Sequence, residues 1–292
     1  MSLKSINLTL FQNKKISIIL KLKDNRFTTY SEEDRTIRVY NRNYSLSYII
    51  NKINSQLSSM IQLKNEKVVC SSYDITILQL NKQNYQIFQI IKIWTNKLIE
   101  IYVNSFFGIQ NNYIRLYSID NNKYILNNEF KFEENVNNAI KIKENELCLL
   151  LDNYYKKLSI NIFDIDSKKI ISTIYEINNK ESGEMCLVEN KFLVVSFYLY
   201  LILVDIEKYE EISIIRTSFG CVTTFCVSSD YTFFSGDDIG DIIEWKINNN
   251  KIIKVKEYNN GKKTVKNIIK FNENLIAACS NDGFIKFYDI DK

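Results

Sequence analysis

Two acidic runs are the first residues in this chain that could do chemistry. Glu32-Glu33-Asp34 and Asp237-Asp238 set carboxylates side by side. Carboxylates at a defined separation can work as general acid and base, or as the nucleophile of a glycosidase. The residues that usually accompany such chemistry are missing. The 292 residues include no histidine, which removes the commonest general base, the Ser-His and Cys-His nucleophile pairs, and imidazole metal sites. The six cysteines (Cys70, Cys148, Cys186, Cys221, Cys226 and Cys279) form no C-x-x-C pair and mostly sit inside apolar runs. That pattern reads as small buried thiols in a reducing compartment. No glycine-rich loop leads into a helix to cradle a phosphate. Both acidic runs fall at breaks between apolar segments and are read as solvated turns. The expectation is a protein without catalytic residues, cofactor or metal, and not an enzyme.

The elements that would position any site are strands. Apolar residues make up 46% of the chain, and the 19 Tyr and 17 Phe suit pleated, half-buried surfaces. Proline is absent and glycine occurs only 7 times, so asparagine must take over the turns. Asn121-Asn122, Asn178-Asn179, Asn248-Asn249-Asn250 and Asn259-Asn260 all punctuate apolar runs, and Asn tolerates left-handed backbone better than other residues with a side chain. Part of the Ile, Asn, Lys and Tyr excess equally fits an AT-rich genome.

One phrase recurs along the chain: an apolar strand, a short polar break, then an alternating strand that closes on an aromatic or aliphatic residue. The copies are Arg26–Tyr30 with Thr36–Tyr40, Lys67–Ser72 with Ile75–Leu80, Phe106–Gln110 with Tyr113–Asp120, and Leu147–Leu151 with Leu158–Asp166. Lys191–Phe197 with Leu201–Asp205, Tyr231–Ser235 with Asp241–Trp245, and Leu275–Ser280 with Phe284–Asp289 follow. The closing residues Tyr40, Leu78, Tyr117, Phe163, Val204, Trp245 and Tyr288 are spaced by 38, 39, 46, 41, 41 and 43 residues. Four-stranded propeller blades repeat at about 40–45 residues. Further strands are expected between the markers, as at Lys251–Tyr258 and Val265–Phe271, and Tyr44–Ser59 is read as strand. The last copy lacks a fourth strand, while Ser5–Leu10 is a spare one ahead of the first. Pairing it into the last blade would remove exposed sheet edges. The fold expected is all-β: a seven-bladed propeller of four-stranded antiparallel blades closed by the N-terminal strand, residues 1–292 forming a single domain.

The sixth and seventh copies resemble the WD-repeat family. Ser235-Gly236-Asp237-Asp238-Ile239-Gly240-Asp241-Ile242-Ile243-Glu244-Trp245 is similar to that family's hairpin between second and third strands, with its closing tryptophan. Cys279-Ser280-Asn281-Asp282-Gly283-Phe284-Ile285-Lys286-Phe287-Tyr288-Asp289 is similar to the same hairpin ending in Tyr-Asp. The resemblance implies that Asp282 rigidifies its turn, with Asp237, Trp245 and Tyr288 as the other structural positions. Without histidine the family's Gly-His pair is missing everywhere, and its Asp-His-Ser-Trp network cannot form in full.

The resemblance also implies that the loops between second and third strands gather on one face. Two of them are unusual here: Asp152-Asn153-Tyr154-Tyr155-Lys156-Lys157, and Tyr198-Leu199-Tyr200 with no polar break. Tyrosines give large contact area at low entropy cost, so these turns are candidate partner-binding residues. The alternative is that their rings tuck against neighbouring blades. The expected function is a protein-interaction scaffold or adaptor subunit of a multiprotein complex, monomeric by itself or within a hetero-complex. RNA binding through tyrosine stacking beside Lys156, Lys157, Lys262 and Lys263 is one alternative. A ubiquitin-ligase substrate receptor is another. The formal charge of +4 is too balanced to be a nucleic-acid footprint by itself. No signal peptide is expected at Met1–Phe11, and the longest uncharged apolar stretch, Phe192–Val204, is too short to span a membrane. A cytoplasmic or nuclear location is expected.

Overall fold

The computed structural model describes residues 9–12, 14–51, 53, 56–153, 157–178, 183–217, 220–229, 231–259 and 261–290. They form 28 strands, with no helix among the described residues. The strands make seven four-stranded antiparallel sheets, the blades of a β-propeller.

Blade one contains β2 (Ile16–Lys21), β3 (Phe27–Ser31), β4 (Thr36–Tyr40) and β5 (Leu46–Ile50). Blade two contains β6 (Ser59–Gln62), β7 (Val68–Ser71), β8 (Ile75–Leu80) and β9 (Tyr85–Ile91). Blade three contains β10 (Lys97–Tyr102), β11 (Ser105–Gln110), β12 (Tyr113–Asp120) and β13 (Lys123–Lys131), and blade four β14 (Asn135–Lys143), β15 (Glu146–Asp152), β16 (Leu158–Asp164) and β17 (Lys169–Ile177). Blade five has β18 (Met185–Val188), β19 (Phe192–Phe197), β20 (Tyr200–Asp205) and β21 (Glu210–Arg216). Blade six has β22 (Val222–Val227), β23 (Thr232–Asp237), β24 (Asp241–Asn248) and β25 (Lys251–Asn259).

Blade seven is built from both ends of the sequence. Its order is β1 (Thr9–Phe11), β28 (Phe284–Asp289), β27 (Leu275–Ser280) and β26 (Val265–Asn272). Thr9, Leu10 and Phe11 pair with Lys286, Ile285 and Phe284, so the N-terminal strand closes the last blade as expected. The earlier part of that expected strand, 5–8, lies outside the described residues.

Burial explains the sequence pattern strand by strand. The second strands β3, β7, β19 and β27 are buried at every position, so β7, β19 and β27 read as mostly apolar runs rather than alternating ones, while β3 also buries Thr28, Thr29 and Ser31. The fourth strands β9 and β17 are largely exposed and mix polar and apolar residues. The chain divides into two compact units, Met1–Lys21 with Glu181–Lys292, and Leu22–Lys180. Within the Leu22–Lys180 unit, Phe130, Phe132 and Phe163 pack edge to face, with centroids 5.1–5.2 Å apart, in a core with Phe107 and Leu147. Within the other unit, Val194, Leu203, Phe233 and Trp245 share a core.

The closing residues of the repeat have a common structural role. In blades one to six the register between third and fourth strands shifts immediately before that residue: at Tyr40, Leu78, Tyr117, Phe163, Val204 and Trp245. A bulge there bends and twists the outer part of the blade. On the other side, each closing residue faces a second-strand partner: Phe27, Val68, Phe106, Leu147, Leu193, Phe233 and, for Tyr288, Ile276. All seven partners are at most 1% exposed. Where both members are aromatic they stack, at 4.7 Å for Phe27–Tyr40, 5.1 Å for Phe106–Tyr117 and 6.4 Å for Phe233–Trp245.

Asparagine does replace glycine in the turns. Of 16 non-glycine residues with positive φ among the described residues, 8 are Asn. Asn121-Asn122 and Asn249-Asn250 hold both central positions left-handed, as a two-residue hairpin turn requires. The Tyr44–Ser59 segment differs from expectation. Only Leu46–Ile50 and then Ser59 lie in strands. The described residues between them, 51, 53 and 56–58, lie in no strand; Ile53 and Leu57 are buried, and the Leu57 N–H donates to the Tyr30 hydroxyl at 3.1 Å.

Candidate functional site

Three of the acidic residues that could do chemistry, Asp34, Asp237 and Asp238, are engaged in hydrogen bonds within the fold. Burial pushes the Asp34 carboxyl up, but hydrogen bonds from Arg38 and Thr36 and the Arg38 charge outweigh it and hold the group below its ordinary value. Asp237 is buried, and its Oδ1 accepts the N–H groups of Ile239, Gly240 and Asp241 at 3.2, 2.8 and 2.7 Å. Burial raises its pKa to about 6 against the pull of those donors. Asp238 accepts the Cys221 N–H at 2.8 Å. All six cysteines are free and only Cys221 is not buried. Burial pushes the thiols of Cys70, Cys226 and Cys279 up to about 12, far from thiolate chemistry. Among the described residues no group of three or more Cys, Asp or Glu could hold a metal ion.

The positions singled out by resemblance have structural surroundings. The Trp245 indole N–H donates to Ser235 Oγ at 2.8 Å, with both side chains buried. Asp282 accepts from the Ser280 hydroxyl and from the Phe284 N–H at 3.1 Å, which ties the β27–β28 turn. Tyr288 packs edge to face on Tyr258 at 5.6 Å, and burial pushes its phenol up. At Gly240 the φ of +105° excludes an ordinary side chain. An added Cβ there would lie 2.4 Å from the Gly261 carbonyl oxygen.

The partner-binding candidates divide three ways. Tyr154, Tyr155 and Lys156 lie outside the described residues. Lys157 is paired with Glu176 at 2.6 Å. Tyr198 and Leu199 form the β19–β20 turn, with Tyr198 left-handed at φ 48° and 44% exposed. The Leu199 carbonyl accepts the Thr217 N–H at 2.7 Å. Tyr200 stacks on Phe197 at 5.3 Å and 17° while remaining 36% exposed. One ring of this turn is thus packed on one face, and the other projects.

The structure also brings together two aromatic residues that the repeat pattern passed over. Tyr73, in the β7–β8 turn, is 74% exposed, and Trp94, in the connection from β9 to β10, is 39% exposed. Their segments are joined by the Lys92–Asp74 ion pair at 2.7 Å and by the Thr95 N–H donating to the Ser72 carbonyl at 3.0 Å. Thr95 is itself buried, and its carbonyl accepts from Ser58 Oγ at 2.9 Å. The backbone carrying Trp94 is therefore anchored while the residue keeps 39% of its surface exposed. The available signal was the position of Trp94. It is one of two tryptophans in the chain, and unlike Trp245 it closes no repeat.

Fold and surface together define a β-propeller with exposed aromatics at Tyr73, Trp94 and Tyr198 in turns and connections, and folds of this class commonly serve as protein-interaction scaffolds. The architecture is compatible with the WD-repeat type. No protein-family model matches the sequence, and no curated protein matches it. Among the described residues no helix is long and apolar enough to cross a membrane.

Proposed function

We propose that this chain is a divergent WD-repeat-like protein, residues 1–292 forming one domain, that works without catalysis as a scaffold or adaptor subunit docking other proteins. Its six free cysteines suit a reducing compartment, cytoplasm or nucleus. The observation that carries the reading is the Tyr73–Trp94 surface, one aromatic residue largely exposed and one partly exposed on segments tied together by hydrogen bond and ion pair. Exposed aromatics on a rigid support are the usual anchors of protein interfaces, because they bury much area at little entropy cost. Tyr198, Leu199 and Tyr200 form a second candidate contact on blade five, and the sequence Tyr154, Tyr155, Lys156 and Lys157, between β15 and β16, is a third candidate. Protein docking is favoured over RNA because Lys157, one of the four lysines of the RNA reading, already has a carboxylate partner.

The test is affinity purification of the tagged full chain from its own cell, with Tyr73→Ser/Trp94→Ser and Tyr198→Ser/Tyr200→Ser variants alongside. The expected result is that a protein captured by the wild type is lost from one variant whose thermal unfolding is unchanged. Retention of every partner by both variants, together with retention on a polyanion column at moderate salt, would overturn the reading in favour of RNA.

A further inference from the structure

Three hairpin turns of the Leu22–Lys180 unit converge on one open pocket of about 410 Å³. The turn ahead of β3 supplies Asp24 and Arg26, the β4–β5 turn Asn41, Arg42 and Asn43, and the β8–β9 turn Lys82. The lining carries three cations and a single carboxylate. That carboxylate is engaged locally: Asp24 accepts the Arg26 backbone N–H at 3.1 Å and the Arg26 Nε–H at 2.7 Å. Arg26 is held on a second side by the Asn81 carbonyl, to which its NH1 donates, and its side chain is only 11% exposed. The result is an oriented, largely buried guanidinium at the pocket wall. Arg42 and Lys82 are exposed and make no ion pair among the described residues. The Asn41 amide donates to Ser45 Oγ, and Ser45 in turn bonds to Asn43 Oδ1, which fixes the middle turn.

Two cations with no ion pair among the described residues, beside a guanidinium already set in place, match the charge of about −2 on a phosphate monoester. A guanidinium also offers the planar fork that phosphate oxygens accept. We propose that this pocket binds a phosphorylated serine or threonine in an extended segment of a partner protein. Two features favour a protein over a bilayer. The exposed residues of the β4–β5 and β8–β9 turns are Arg42, Asn43, Ser45, Asn81, Lys82, Gln83 and Asn84, none of them an apolar group that could enter lipid. Immediately after the β4–β5 turn runs β5, the last strand of its sheet among the described residues, and an edge strand is where an extended segment can add.

The proposal rests on the platform reading only in taking the ligand to be part of a protein. Tyr73 precedes β8 and Lys82 follows it, so the two surfaces lie at opposite ends of that six-residue strand, about 20 Å apart. The probes are the capped tripeptide Ala-phosphoserine-Ala and its unphosphorylated counterpart, added to the isotope-labelled full chain while backbone amide resonances are followed. The phosphorylated peptide should shift Arg26, Arg42, Asn43 and Lys82, and the plain peptide should not. Arg42→Ala/Lys82→Ala should weaken binding roughly tenfold or more with unfolding unchanged, and each single substitution should give a smaller loss. The Tyr73→Ser/Trp94→Ser variant should bind the phosphopeptide as the wild type does, which separates failure here from failure of the aromatic surface.

Absence of shifts, or shifts indifferent to Arg42 and Lys82, would overturn the proposal. So would inorganic phosphate binding as tightly as the peptide, which would make the pocket a site for an adventitious ion only. Sedimentation with phosphatidylcholine vesicles containing phosphatidylinositol bisphosphate, dependent on Arg42 and Lys82 and unaccompanied by peptide binding, would overturn it in favour of a lipid headgroup.

Discussion

The indole N–H of Trp245 donates to Ser235 Oγ at 2.8 Å across a cross-strand step, with both side chains buried. The same ring stacks on Phe233, its direct partner in β23, at an interplanar angle of 18°. Trp245→Phe keeps much of the stack but leaves Ser235 without its donor. The expected loss is about 1–2 kcal/mol of unfolding free energy, measured by urea denaturation. Ser235→Ala should cost a similar amount, and the double variant less than the two single losses combined, since the bond can be removed only once. Strict additivity would show that the bond contributes nothing.

The turn chemistry predicts different outcomes for alanine and glycine at left-handed positions. Asn249 and Asn250 hold φ of 47° and 60°, so Asn249→Ala should cost about 1 kcal/mol while Asn249→Gly is close to neutral. Gly240→Ala should cost more than about 1 kcal/mol, because a Cβ there is both strained and within 2.9 Å of the Lys263 backbone. Thermal unfolding of the three variants checks the order.

Asp237 gives the protein a specific pH response. Burial raises its folded pKa from 3.8 to about 6, and repulsion from Asp241 and Asp238 adds to the shift. Between these values the folded state binds a proton that the unfolded chain has released. The contribution of Asp237 to stability therefore falls as pH rises from 3.8 to about 6 and stays low above that. Asp237→Asn keeps an oxygen for the Gly240 and Asp241 N–H groups and removes the titration. Over that window the wild type should lose stability relative to the variant, as read from denaturation midpoints. Parallel curves would contradict the assignment.

The cysteines make a simpler prediction. Five are buried and Cys221 is partly accessible, so alkylation of the native protein at mildly alkaline pH should modify Cys221 first. The other five should react only as fast as the molecule opens. Rapid modification of Cys70 or Cys279, followed by mass spectrometry of the peptides, would count against the packing of their second strands.

The repeat was legible in the sequence because one physical role recurs: a bulky residue that faces a fully buried second-strand partner on one side and a register shift on the other. Tyr40, Tyr117 and Trp245 fill that role with rings, Leu78 and Val204 with aliphatic groups, so the spacing could be read although the residue type varied. The N-terminal closure was legible from a strand missing at one end and a spare at the other. The bulges themselves were not, since a one-residue shift in pairing leaves no mark in composition. Tyr73 and Trp94 were missed for a related reason: they are 21 residues apart in sequence, and only the Lys92–Asp74 pair and the Thr95–Ser72 bond show that they belong together. The Arg42–Lys82 pocket is assembled from turns of different hairpins, a proximity that no local pattern encodes. Tyr44–Ser59 misled because Ile53 and Leu57 are apolar and buried, as strand residues would be, yet they lie in no strand.

The pairing of the first strand with the last blade is tested most directly by a cysteine cross-link between Thr9 and Lys286, which are register partners. Partners in an antiparallel pair stand about 4.5–5.5 Å apart between Cα atoms, within reach of a disulfide. Under mild oxidation Thr9→Cys/Lys286→Cys should form an intramolecular disulfide in high yield, giving a faster-migrating species that resists unfolding better than its reduced form. Failure to form it in the folded protein, or formation only between chains, would contradict the closed propeller.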